Sequence, residues 1–224
     1  MSDQARHDLV LAIRMLEHSG IMDYNGHASI RLNADRFLIN VGNCPRSVIS
    51  GSDICTIDDK GNVLEGEGKP PLEFHLHLGL YRARPDIGAI VHAHPRWSTY
   101  LSMTANAYRP VFAQGAILGP VPVLDTPQSI NNPEIAARLV EVLGDNPAAL
   151  MKSHGAVAVG SDIVEAFVLA NYLEENAERQ YMAMQIGQPF VFDQVEIEAA
   201  RAKLWNRGLF ERTWAHFRAK LPEV

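Results

Sequence analysis

The run Ile90-Val91-His92-Ala93-His94-Pro95 sets two histidines two positions apart between apolar neighbours. The flanking residues predict a buried strand from Ile87 to His94. Successive strand side chains alternate faces, so His92 and His94 project together from one side, at a spacing where two imidazoles can hold one metal ion. Nine histidines occur in the chain, and such a pair also arises as packed or exposed imidazoles. A metal site therefore needs a third ligand from elsewhere.

Ser153-His154-Gly155 supplies a candidate, because His154 stands between the apolar strand segments Ala148 to Lys152 and Ala156 to Val159, and Gly155 allows the backbone to turn tightly. Three neutral histidines leave an open position on a divalent cation, as in a catalytic rather than a structural site. Glu73, at the head of a helical pattern running to Arg84, is placed to add a fourth ligand or a base. His75 and His77 lie two and four positions beyond it. Only His77 shares its helical face, and it reads as a packing or supporting histidine rather than a ligand.

The elements that position these residues alternate along the chain. A helix is predicted from Arg6 to Ser19 with Gly20 as its stop, then strands Ala28 to Leu32 and Arg36 to Val41 as a hairpin, and Ile54 to Ile57 with Asn62 to Leu64 as another. A helix from Arg96 to Met103 follows the histidine strand. Val121 to Leu124 reads as an edge strand, Pro133 opens a helix to Leu143, and Ile163 to Ile186 is a long amphipathic helix. Val195 to Phe217 is helical with a break near Gly208, and its Trp205, Phe210 and Trp214 read as core packing.

With 224 residues, 47% hydrophobic and 21% charged, the chain suits a single domain over residues 1–224. A net charge of -6 without a basic, aromatic-interleaved run argues against nucleic acid. No stretch reaches the roughly 20 apolar residues of a membrane span. Two separated cysteines and no leader-like start predict a soluble, cytoplasmic protein with a small-molecule substrate.

Taken together, Glu73-Phe-His-Leu-His77, Tyr81-Arg-Ala-Arg-Pro-Asp86, His92-Ala-His94-Pro95 and Ser153-His154-Gly155 resemble the class II aldolase/adducin family, and the likeness extends from Asn25-Gly26-His27-Ala28-Ser29-Ile30-Arg31 through the long helix. That family includes L-fuculose-phosphate aldolase, L-ribulose-phosphate 4-epimerase, metal-dependent decarboxylases and non-catalytic adducin-type assembly modules. The resemblance implies a three-layer α/β/α fold with a central mixed sheet, and a homotetramer with active sites at subunit interfaces. It also implies His92, His94 and His154 as metal ligands and Glu73 as the acid that moves a proton. Zinc is the first expectation, with manganese, cobalt or iron also able to bind such a set.

The sugar-phosphate aldolases of that family hold phosphate with a Gly-Asn-x-Ser segment, a Thr-Pro-Ser/Thr-Gly turn and a Ser-Ser pair before the acidic residue. Here His27 follows Gly26, the turn is read as Val48-Ile49-Ser50-Gly51, and Pro71-Leu72 replace the serines. Losing both hydroxyls removes donors that a phosphate would need. The Gly26-His27-x-Ser29-x-Arg31 version, with Leu118-Gly119-Pro120-Val121-Pro122-Val123, is similar to decarboxylases of hydroxyphthalates and of a hydroxypyridine dicarboxylate. A non-phosphorylated hydroxy-carboxylate is thus expected as substrate, losing carbon dioxide by Lewis acid catalysis, with a retro-aldol cleavage of a hydroxy-keto acid or sugar-derived substrate as the alternative. His27, Ser29, Arg31, Ser50 and Gly51 are its candidate contacts, Arg31 being equally readable as a surface ion-pair residue.

Overall fold

The computed structural model describes residues 2–222. Alternating apolar residues build a chain of antiparallel hairpins first: β1 (His27–Arg31), β2 (Arg36–Asn40), β3 (Ile54–Asp58) and β4 (Val63–Glu65). Then come β5 (Ala89–Ala93), β6 (Val123–Leu124), β7 (Ala148–Met151) and β8 (Gly155–Gly160). All eight form one sheet in the order β4-β3-β2-β1-β5-β8-β7-β6. Only the β6–β7 pair is parallel, so the sheet is mixed as expected.

Helices cover both faces. The β1 face that carries His27, Ser29 and Arg31 meets α2 (Phe74–Ala83), which packs on α5 (Pro133–Leu143). Across the sheet lie α1 (Ser2–His18) and the long α6 (Ile163–Ile186), whose apolar residues pack on β5 and β8. Asp162 caps α6 by accepting the Glu165 N–H, and Asn132 caps α5 ahead of Pro133, the helix opener expected from the sequence. Between these helices α3 (Arg96–Ser102) follows the histidine strand, with Glu174 of α6 accepting from the Trp97 and Ser98 N–H groups at its head. The chain direction after His94 is thereby fixed from the opposite layer.

A short helix, α4 (Ala113–Ala116), has no counterpart in the sequence pattern, being a single turn without periodicity. The C-terminal pair, α7 (Gln194–Leu204) and α8 (Arg207–Arg218), breaks at Trp205-Asn206, two residues before Gly208. Asn206 accepts the Leu209 N–H and starts a new helix, which carries Gly208 inside its first turn. Phe210 is buried and Trp214 packs edge-on against Phe167, whereas Trp205 is 39% exposed and donates its indole N–H to Glu165. No helix among the described residues is long and apolar enough to cross a membrane.

Candidate metal centre and its cavity

Strand register brings the histidines together. His27 of β1 sits directly opposite His92 of β5, with ring centroids 4.7 Å apart. His94 lies one residue past the end of β5, on the same face as His92, its ring 4.9 Å away. His154 comes from the tight β7–β8 turn, where Ser153 adopts φ 54, a left-handed conformation that costs about 1 kcal/mol or more and here aims the next side chain. Gly155 opens β8 so close to β5 that a Cβ would stand 2.4 Å from the Ala93 carbonyl oxygen. Only glycine admits that approach, and it holds the His154 and His94 rings 5.1 Å apart.

Each of the three rings is oriented from behind. His92 Nδ1 meets the Ala156 carbonyl at 3.0 Å, His94 Nδ1 meets the Asp23 carboxylate at 3.0 and 3.1 Å, and His154 Nδ1 meets the Gln128 carbonyl at 3.2 Å. All these partners are acceptors, so each Nδ1 must carry the proton and each Nε2 must present a lone pair. One ligand atom each from His92, His94, His154 and Glu73 lies within 4.8 Å of the others. His92 Nε2 and His94 Nε2 are buried without a hydrogen-bond partner. Acceptors thus face acceptors, with Glu73 Oε2 3.5 Å from His92 Nε2 and Oε1 3.7 Å from His154 Nε2. The donor set of three imidazoles and one carboxylate fits a divalent cation.

Glu73 precedes α2 and is anchored by the Ile130 N–H, which donates to Oε1 at 2.7 Å. The loop between β6 and α5 therefore holds both Glu73 and His154. Burial works to raise the Glu73 carboxyl, but the nearby His27 and His92 imidazoles outweigh it and keep the acid well below the usual carboxylate range. Burial also lowers the imidazoles: His27 to about 4, with His94 and His154 below their ordinary value. Neutral rings beside an ionised carboxylate are the protonation states that metal binding requires.

The group opens into a cavity of about 980 Å³. Its walls carry His27, Glu73, His94 and His154, the cations Arg46 and Lys69, the apolar Pro70, Pro71 and Leu72, and the small polar residues Asn43, Ser129 and Ser153. Arg46 is 2% exposed and donates to the carbonyls of Gly26, Cys44 and Gly42, stapling the long β2–β3 loop. Neither Arg46 nor Lys69 forms an ion pair among the described residues.

Of the residues singled out for substrate contact, only His27 reaches the cavity. Arg31 lies behind α2, where it donates to the carbonyls of Ile87, Tyr81 and Arg84 at 2.7–2.9 Å and stacks over the Tyr81 ring. Its fork is filled by backbone, so it bolts β1 to the end of α2 and is neither a cavity residue nor half of a surface ion pair. Ser29 is fully buried between His77 and Tyr81. Ser50 and Gly51 sit outside the cavity, with Ser50 in a reciprocal cap with Asp53. The wall at this edge is formed instead by Gly42-Asn43 and Arg46, eight to four residues before Ser50. A 13-residue connection between β2 and β3, with Gly42, Asn43 and Pro45 in its first half, was the available signal, since loops of that length in compact domains tend to be functional. Asp23 had no periodic signal, lying in the turn before Gly26, which it closes by accepting the Asn25 and Gly26 N–H groups.

The class II aldolase and adducin N-terminal domain matches residues 7–181 of the chain. A 3,4-dihydroxyphthalate decarboxylase of Arthrobacter keyseri is 33% identical over 181 residues, which are 74% of this chain and 73% of that protein. A 5-methylthioribulose-1-phosphate/5-deoxyribulose-1-phosphate aldolase of Rhodospirillum rubrum is 27% identical over 205 residues, 91% of this chain and 92% of its own. The solved structure of an L-fuculose 1-phosphate aldolase superposes with a TM-score of 0.84 at 26% identity, covering 92% of this chain and 98% of that one.

Proposed function

The chain belongs to the class II aldolase and adducin family, whose matched members are lyases, and from that premise we propose that it decarboxylates a non-phosphorylated, hydroxylated aromatic or heteroaromatic acid. The observation that carries this reading is the cavity wall beside Glu73. It offers two cations without carboxylate partners, Arg46 and Lys69, next to the hydroxyl-free surface of Pro70, Pro71 and Leu72. A flat acid can lay its ring against that surface and its carboxylate toward the cations, whereas a phosphate would find no side-chain hydroxyl at positions 71 and 72.

His92, His94, His154 and Glu73 would hold a divalent cation, zinc in the first instance, which supplies Lewis acidity at the cavity floor. The chain's own residues do the rest. Exposed Lys69 draws the carboxylate in, and the buried Arg46 guanidinium, held by backbone carbonyls, adds positive charge behind it. Glu73, ionised and fixed by the Ile130 N–H, takes the proton of the substrate hydroxyl. Cleavage of the ring–carboxyl bond leaves its electron pair on the ring carbon, and Glu73 returns its proton there as carbon dioxide leaves. The active assembly in this reading is a homotetramer in the cytoplasm, with its cavities completed at subunit interfaces.

Zinc-loaded protein incubated with dihydroxyphthalates and with hydroxy-keto acids tests the proposal. Carbon dioxide released from the phthalates, and abolished by a chelator, is the expected result. Aldehyde without carbon dioxide would assign the same site to a retro-aldol cleavage and overturn the decarboxylase reading.

A further inference from the structure

Four imidazoles converge on Glu73, but the fourth differs from the other three. His27 faces Glu73 Oε2 with Nε2 at 3.5 Å, while its Nδ1 lies 2.7 Å from His77 Nε2, another imidazole and not an obligate acceptor. From there the contacts continue inward: His77 Nδ1 is 2.6 Å from Ser29 Oγ, and Ser29 Oγ is 2.8 Å from the Tyr81 hydroxyl. All four residues are at most 1% exposed. Each neutral imidazole in such a file can donate once and accept once along it, and each hydroxyl has a single hydrogen, so the two ring protons must point the same way.

The two ends decide the direction. If the hydrogens point outward, Tyr81 donates to Ser29, Ser29 to His77 Nδ1, His77 Nε2–H to His27 Nδ1, and His27 Nε2–H aims at the Glu73 carboxylate. Every donor within the file then has an acceptor, and the last one, His27 Nε2–H, faces a carboxylate. If they point inward, one hydroxyl hydrogen, that of Ser29 or of Tyr81, is buried with no acceptor among the described contacts, and the His27 Nε2 lone pair faces a carboxylate oxygen. Both faults are costly in a buried setting.

We infer that the buried file Tyr81–Ser29–His77 locks His27 in the Nε2–H tautomer, making it a fixed hydrogen-bond donor to a substrate oxygen seated beside Glu73. The 3.5 Å to Glu73 is too long for a full hydrogen bond, and His27 Nε2 has no partner that meets hydrogen-bond geometry. Its proton remains available to an anionic oxygen entering the cavity that His27 lines. Three neighbours present lone pairs and one presents a proton, so His27 is not a metal ligand although its ring lies 4.7 Å from that of His92. Ser29 and His77 are positioning residues in this arrangement. The identity of the acceptor rests on the proposed function; the tautomer does not.

Long-range proton–nitrogen correlation spectra of metal-free protein labelled with 15N-histidine, assigned by single His→Gln variants, test the inference directly. The expected pattern is a protonated Nε2 and bare Nδ1 for His27, and the reverse for His92, His94 and His154. Ser29→Ala removes the donor to His77 and should turn the His27 signals into a mixture of both tautomers, while Ser29→Thr restores the wild-type pattern. A protonated Nδ1 on His27 in the wild type, or identical His27 signals in Ser29→Ala, would overturn it. The wild-type spectrum decides by itself if Ser29→Ala fails to fold. Zinc titration of the same sample separates the two readings: the stated tautomers without zinc binding would support the hydrogen-bonded file and count against the metal-dependent function alone.

Discussion

Replacing Asp23 by Asn should weaken zinc binding about five- to tenfold and leave the fold in place. Asp23 touches no candidate metal position itself; it accepts the His94 Nδ1–H through both carboxylate oxygens, at 3.0 and 3.1 Å. Oδ1 also accepts the Asn25 and Gly26 N–H groups, and an amide oxygen in its place can continue to do so. The substitution therefore removes charge while keeping the turn. A hydrogen bond to an ionised acceptor contributes about 1.5–3 kcal/mol against roughly 1 for a neutral one. The side chains of His94 and Asp23 are 18% and 37% exposed, so water screens part of that difference. About 1–1.4 kcal/mol remains, and 1.4 kcal/mol is tenfold in affinity. Competition against a chromophoric chelator measures the constant, with far-ultraviolet circular dichroism and the thermal midpoint as checks on folding. Affinity within twofold of wild type would refute the argument, as would a loss as deep as that of His94→Ala, because the carboxylate would then be acting as something other than the support of one imidazole.

Three further outcomes follow from the same geometry. In chelator, urea unfolding should show stability falling as pH drops from 6.5 toward 4, because unfolded His27 takes up a proton near 6.5 and the buried ring only near 4; the difference corresponds to about 3 kcal/mol, and a His27→Gln variant with an undiminished acid loss would contradict it. Arg31→Met removes three hydrogen bonds to backbone carbonyls and should lower stability by about 2–4 kcal/mol with KM unchanged within about twofold, so that a raised KM in a fully folded variant would return Arg31 to the substrate. Lys69→Met, an exposed cation at the cavity mouth without an ion pair, should raise KM for a carboxylate substrate about three- to tenfold and flatten its dependence on ionic strength; equal KM at low salt would remove Lys69 from recognition.

How far the sequence could be read depends on which residues ride on regular elements. His92 and His94 were legible because strand alternation fixes their common face whatever surrounds them. His27, Ser29 and Arg31 share a face for the same reason, and the structure keeps that relation while giving the three residues different neighbours: the cavity, a buried hydroxyl pair and a ring of carbonyls. Periodicity predicts the face and not what lies across it. The helix start at Pro133 was legible from its fixed φ, whereas the C-terminal break was legible only to within a few residues, because its position is settled by one side-chain hydrogen bond at Asn206.

The cavity wall was the least legible part, because it is made of loops whose position comes from tertiary contacts. Ser50-Gly51 matched a family turn by residue type, yet lies in a self-capped turn outside the cavity, while Gly42-Asn43 and Arg46 take the wall. What places them is Arg46 itself. Its guanidinium collects the carbonyls of Gly26, Cys44 and Gly42, so the loop folds around a buried cation that no carboxylate neutralises among the described residues. Burying an unpaired charge is costly unless something of opposite sign completes the site. The same residue that tethers the loop thus leaves a positive field in the cavity, and under the proposed function the substrate carboxylate is its neutralising partner.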